Sequence, residues 1–214
     1  RSEVFVAVVL LSFLPLELGA QAVVENYTSV TDDRLINPEE HNWLSYRGTL
    51  DGWGYSKLDQ INDTNIEELQ PVWSFSTGVL GGHESPPIVN DGVMFVTTPG
   101  NFLYAIEAAT GDLLWRYQHN LPENYIAFHR TNRGVALYGD KVYMATLDAR
   151  VIALDATTGE KVWDTPVQDN SFGYYITMAP LAIDGKILVG TSGGELGMRG
   201  FVVALDAESG TEAW

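Results

Sequence analysis

Three segments of this sequence carry charged side chains and glycines that a plain structural repeat does not require. The first is Gly81-Gly82-His83-Glu84-Ser85-Pro86-Pro87, and the second is Asn132-Arg133-Gly134. The third joins Thr177 and Ala179-Pro180 to Thr191-Ser192-Gly193-Gly194-Glu195-Leu196-Gly197-Met198-Arg199-Gly200. Arg133 presents a planar fork of donors that matches a carboxylate. Glu195 offers carboxylate oxygens, the ligand type that a hard ion such as calcium prefers. The glycines after Ser192 let the backbone approach a ligand closely. Taken singly, Arg133 is more often a loop-bracing arginine, and Glu195 more often a solvated carboxylate. His83 has no metal-ligand partner at useful spacing and reads as a structural histidine. His119 and His129 form no H-E-x-x-H pattern, which argues against zinc. With no cysteine in the chain, thiolate sites, disulfides and cysteine nucleophiles are excluded.

The elements that must position these segments are repeats. Ala105-Ile106-Glu107-Ala108-Ala109-Thr110-Gly111 leads to Trp115. Ala153-Leu154-Asp155-Ala156-Thr157-Thr158-Gly159 leads to Trp163, and Ala204-Leu205-Asp206-Ala207-Glu208-Ser209-Gly210 leads to Trp214, in the same register. A period of about fifty residues points to propeller blades. A hairpin dipeptide precedes an apolar run in each repeat: Asp91-Gly92, Gly139-Asp140 and Asp184-Gly185. Asp-Gly suits a type I′ turn and Gly-Asp a type II′ turn. The expected fold is therefore all-β, a β-propeller of four-stranded blades. The repeated tryptophans are expected to pack between blades rather than bind ligands.

Three blades cannot close a ring, because propellers need roughly four to eight. The chain is therefore expected to be a fragment that holds only the first blades, cut at a blade end. Residues 66–214 are read as a partial propeller: a closing strand at Leu69-Gln70-Pro71-Val72-Trp73-Ser74-Phe75, which completes a final blade whose other strands lie beyond Trp214, then three blades. Residues 23–65 are polar and turn-rich, and read as an irregular extension anchored by Trp43, Tyr46, Trp53 and Tyr55. Residues 1–22 run from Arg1 through an apolar stretch to Ala20-Gln21-Ala22, the pattern of a secretory signal peptide. Export to the periplasm follows as the expectation. The apolar run is too short to span a bilayer comfortably, so an integral membrane protein is not expected. The net charge of −16, with 28 acidic against 12 basic residues, argues against nucleic-acid binding.

On this repeat, the sequence from about Trp43 to Trp214 resembles the quinoprotein alcohol dehydrogenases, the family that includes the methanol dehydrogenases. The resemblance lies in residues 55–62, Trp73-Ser74-Phe75-Ser76-Thr77-Gly78, Gly82-His83-Glu84, Asn132-Arg133-Gly134 and Ser192-Gly193-Gly194-Glu195-Leu196-Gly197. It implies an eight-bladed propeller holding pyrroloquinoline quinone over a calcium or lanthanide ion at its axis. Glu84, Arg133, Thr177, Ser192, Gly193 and Gly194 match positions that contact the quinone, and Glu195 matches a metal ligand. The implied reaction is oxidation of a primary alcohol, or a related polyol, by hydride transfer to the quinone. The implied base is an aspartate beyond this chain, so no catalytic residue is assigned here. A periplasmic cytochrome c is the implied electron acceptor, and a homodimer is compatible with the resemblance.

One feature departs from the family. Many members carry adjacent cysteines just before the Asn-Arg-Gly segment, where this chain has Ala127 and Phe128, followed by His129. Stacking on the quinone is left to Phe128, His129 or another group. Two other readings stand beside the alcohol dehydrogenase: a quinoprotein sugar or polyol dehydrogenase, and a non-enzymatic propeller scaffold of the outer-membrane assembly type. Such scaffolds are commonly lipoproteins, and this chain has no cysteine to lipidate.

Overall fold

A computed structural model describes residues 23–214; the expected signal peptide, residues 1–22, lies outside the described residues. The hairpin dipeptides and apolar runs fold into three antiparallel sheets in chain order. The first contains β1 (Ile88–Asn90), β2 (Val93–Thr98), β3 (Phe102–Glu107) and β4 (Leu113–Gln118). The second contains β5 (Val135–Tyr138), β6 (Lys141–Ala145), β7 (Arg150–Asp155) and β8 (Lys161–Pro166). The third contains β9 (Leu181–Ile183), β10 (Lys186–Gly190) and β11 (Val202–Asp206). Each strand pairs with its neighbour in sequence, the meander of a propeller blade. The Asp91-Gly92 and Asp184-Gly185 turns have positive φ at both residues, whereas Gly139-Asp140 has it at Gly139 alone. Those are the type I′ and II′ patterns expected from the dipeptides.

The tryptophan and the glycine of the repeat explain each other. The Trp115 indole donates to the Ala156 carbonyl of the next blade at 3.1 Å, and Trp163 donates to Ala207 at 3.1 Å. A Cβ added at Gly159 would lie 2.6 Å from the Trp115 ring, and φ there is +72°. Only glycine allows both the left-handed turn and the stacked indole. Trp73 makes the same contact ahead of the first blade, donating to Ala108 at 3.0 Å across Gly111. Trp115 is fully buried between two sheets, where a large apolar ring is removed from water.

Two places lack a full set of ladder bonds. Residues 69–75, whose partner strands are expected beyond Trp214, pair with no described segment, and Trp73 holds the blade-like position. The third sheet has three strands instead of four. Its fourth place is taken by a bridge from Leu205 to Glu212 and by the Ala213 amide, which donates to the Ala204 carbonyl at 2.8 Å.

The segment before the blades is less irregular than its composition suggests. Thr31 caps a short helix, α1 (Asp32–Ile36), and isolated bridges join Val30 to Gly139 and Trp43 to Val89. The segment touches the first hairpin of every sheet. Thr28 N–H donates to Asp91, Val30 exchanges backbone bonds with Gly139, and Asp184 N–H donates to Asp32. It is a strap across three blades. No helix among the described residues is long and apolar enough to cross a membrane.

Candidate functional site

The three chemical segments lead into or interrupt the blades. Glu84 precedes β1, Arg133 precedes β5 and Thr177 precedes β9, while residues 191–200 connect β10 to β11. Propeller geometry brings such positions together, and the structure does so. Arg133 Nη2 lies 2.9 Å from Glu84 Oε2, and Arg133 Nη1 donates to the Thr177 hydroxyl at 2.6 Å. The Arg133 backbone N–H also donates to the Thr177 carbonyl at 2.9 Å. The Arg133 and Glu84 side chains are 38% and 47% exposed, so their ion pair contributes at most about 1 kcal/mol. Its value lies in placing a cation inside an acidic protein.

Arg133 is held from below by Asn132, which is buried. Asn132 Oδ1 accepts from the Thr97 hydroxyl at 2.8 Å and from Gly134 N–H at 3.0 Å, and Asn132 Nδ2 donates to the Ala145 carbonyl at 2.9 Å. Ser85, beside Glu84, accepts from Thr97 N–H at 3.1 Å. Thr97 on β2 therefore fixes the backbone next to both charged groups.

Ser192 to Glu195 reach the same neighbourhood through Tyr175. Ser192 N–H donates to the Tyr175 carbonyl at 2.8 Å, and Tyr175 N–H donates back at 3.4 Å. Gly193 has φ +127°, and a Cβ there would meet the Gly173 carbonyl oxygen at 2.5 Å, so this turn requires glycine. Gly194 and Glu195 begin a short 3-10 turn, Gly194–Leu196. The Tyr175 hydroxyl donates to Glu195 Oε1 at 3.3 Å. Burial and then the Glu195 carboxylate push the Tyr175 phenol above its ordinary value. Arg133 acts on the same phenol in the opposite sense, which places cation, phenol and carboxylate in one electrostatic neighbourhood.

Two cavities flank the Arg133–Glu84 pair. One of about 550 Å³ is bordered by Glu84, Phe102, Tyr125, Phe128, His129 and Arg130. The other, of about 280 Å³, is bordered by Tyr46, Arg133, Met178 and Ala179. Phe128 is 64% exposed, and its ring centroid lies 6.2 Å from that of His129. Among the described residues, no three of His, Cys, Asp and Glu converge as a metal site, so Glu195 is a single candidate ligand. His83 bonds to Thr77 and to the Gly81 carbonyl, each at 3.1 Å. His119 is buried against Asp148, with Nε2 2.9 Å from Oδ2.

Sequence reasoning missed Tyr175 and the anchoring role of Asn132. Asn132 stood inside a segment already singled out. Tyr175 belongs to no repeat, and its only signal is its place two residues before Thr177.

Comparison with known proteins bears on this arrangement. Residues 43–214 match the PQQ family model, described as the β-propeller domain of glucose, ethanol and alcohol dehydrogenases. The quinoprotein alcohol dehydrogenase PedH of Pseudomonas putida is 38% identical over 100% of this chain and 36% of its own length. The solved structure of quinohemoprotein alcohol dehydrogenase ADHIIG from Pseudomonas putida HK5 superposes with a TM-score of 0.82 at 40% identity. That match covers 87% of this chain and 28% of the other. A europium-containing methanol dehydrogenase gives a TM-score of 0.81 at 38% identity, over 85% of this chain and 33% of the other. The chain thus spans about a third of the length of these relatives. With that match over most of its length and the blades that carry it, the chain belongs to the PQQ β-propeller family of glucose, ethanol and alcohol dehydrogenases.

Proposed function

We propose that this chain is part of a pyrroloquinoline-quinone-dependent alcohol dehydrogenase that oxidises a primary alcohol, or a related polyol, to the aldehyde. The observation that carries the reading is the convergence of Glu84, Arg133 and Thr177 with the Ser192-to-Glu195 turn around Tyr175. The relatives named as alcohol dehydrogenases favour it over a sugar dehydrogenase or a scaffold.

The residues fit the cofactor and the ion. Arg133 is a partly exposed guanidinium, and its fork suits the carboxylates of the quinone. A Cβ at Gly194 would meet nothing within 4 Å, so the backbone there faces open space. Glu195 is exposed and pairs with no cation among the described residues, leaving its oxygens for a hard ion. Glu84, Arg133, Thr177, Ser192, Gly193 and Gly194 would hold the quinone, and Glu195 would ligate calcium or a lanthanide. Bound there, the quinone would supply a hydride acceptor for the alcohol carbon, and the ion would supply Lewis-acid polarisation.

The chain's own residues bind and orient. Thr177 fixes one arm of the Arg133 fork, and Glu84 balances its charge. Ser192 is fixed through its backbone on Tyr175. Phe128 and His129, which border the larger cavity, are candidates to stack on the planar ring in this reading. A periplasmic location and a cytochrome c acceptor belong to the same reading.

The test uses the full-length protein with calcium and the quinone. Primary alcohols should reduce an artificial dye acceptor, and Glu195→Ala should abolish the reaction. Wild-type activity in Glu195→Ala would count against the assignment of Glu195. Failure of the wild-type protein to oxidise any alcohol would count against the reaction.

A further inference from the structure

We propose that Tyr175 is a positioning residue for the Glu195 carboxylate, holding it pointed for metal binding before the ion arrives. The inference rests on the reading of Glu195 as a metal ligand and adds a residue that the sequence resemblance does not single out.

Glu195 sits on a three-residue 3-10 turn, with its neighbours closing the turn through Leu196 N–H to Gly193 at 2.9 Å and Gly197 N–H to Gly194 at 3.0 Å. That turn fixes the backbone and leaves the side chain free. Ordering a free glutamate side chain costs rotamer entropy. A partner already in place lowers that cost at the moment of binding. Tyr175 is such a partner. It is 1% exposed, its backbone is paired with Ser192 in both directions, and its hydroxyl donates to Glu195 Oε1 at 3.3 Å. No other hydrogen bond to the Glu195 side chain exists among the described residues.

The arrangement also sets where Glu195 stands relative to Arg133. Tyr175 carries the carboxylate, and Thr177, two residues on, holds the guanidinium through its hydroxyl and the Arg133 backbone N–H through its carbonyl. Between them, Ile176 is fully buried and donates to Thr146 at 3.2 Å. One short, pinned segment thus spaces the cation from the carboxylate. Such outer contacts are worth about 10- to 100-fold in metal affinity.

The experiment titrates full-length wild type, Tyr175→Phe and Glu195→Ala with europium by calorimetry, in the presence of the quinone. It also measures quinone affinity without metal, and the urea midpoint. Tyr175→Phe removes a single oxygen. The expected result is a loss of about tenfold in europium affinity, with quinone affinity and the urea midpoint unchanged. Unchanged europium affinity overturns the proposal. So does a loss shared by the quinone affinity and the urea midpoint, since that marks a structural role alone. If Glu195→Ala binds europium as wild type does, the assignment of Glu195 itself fails, and the role of Tyr175 fails with it.

Discussion

Arg133 and Thr177 are joined twice, once between side chains at 2.6 Å and once between backbones at 2.9 Å. The two residues lead into adjacent blades, so the backbone of Arg133 is pinned at the junction of β5 and β9 while its guanidinium is held on the Thr177 hydroxyl. A cation is thereby fixed in a protein of net charge −16. Several expectations rest on it.

Replacing Arg133 with lysine keeps the charge and removes the fork. Lysine is a point charge without the planar fork that reaches Glu84 and Thr177 through separate nitrogens and matches a carboxylate. Quinone affinity of the full-length Arg133→Lys protein should fall by about tenfold or more, equivalent to about 1.4 kcal/mol. Quenching of tryptophan fluorescence on titration with the quinone would report it.

Asn132 supports that arginine from the protein interior. Asn132→Ala strips the partner from the Thr97 hydroxyl, the Gly134 amide and the Ala145 carbonyl, all close to or within the core. Leaving buried groups unpaired costs about 1–3 kcal/mol each in the worst case. A loss of about 2–4 kcal/mol in urea unfolding is expected, with weaker quinone binding alongside it.

Gly159→Ala tests the blade junction. Its added methyl would overlap the Trp115 ring, and alanine disfavours a φ of +72°. Strain and overpacking together should cost about 2–3 kcal/mol. Thermal unfolding would show it, whereas Gly139→Ala, with nothing near its added methyl, should pay only the backbone strain.

Acid should weaken the contact between the first two blades. Burial pushes the Asp148 carboxyl up, but His119 and Thr146 outweigh it, and the group titrates below its ordinary 3.8. A carboxylate with a depressed folded pKa stabilises the fold above its unfolded pKa and loses that contribution as pH falls through the folded value. Asp148→Asn should therefore be less stable than wild type at neutral pH. The gap should close as pH drops below about 4. Urea midpoints measured between pH 3 and pH 7 would show the convergence.

Much of this architecture is legible in the sequence because propeller blades repeat. The Asp-Gly turns announce hairpins, and the tryptophan and glycine recur because one stacks on the other. Positions leading into blades follow from that register, which is how Glu84, Arg133 and Thr177 are found. Tyr175 is hidden because its partner lies twenty residues away across an irregular turn, and neither residue belongs to the repeat. The strap over the hairpins is hidden for a similar reason. Asp32 and Asp184 are 152 residues apart, and no local pattern links them. The closing strand expected at residues 69–75 would pair beyond Trp214, so its ladder is not legible within residues 23–214.

The most direct measurement is a crystal structure of the full-length protein grown with the quinone and a lanthanide, with the ion located by anomalous scattering. The account predicts an anomalous peak bound by the Glu195 carboxylate and a quinone carboxylate on the Arg133 guanidinium. An ion held elsewhere, with Arg133 still closed on Glu84 and no cofactor touching it, would contradict the account.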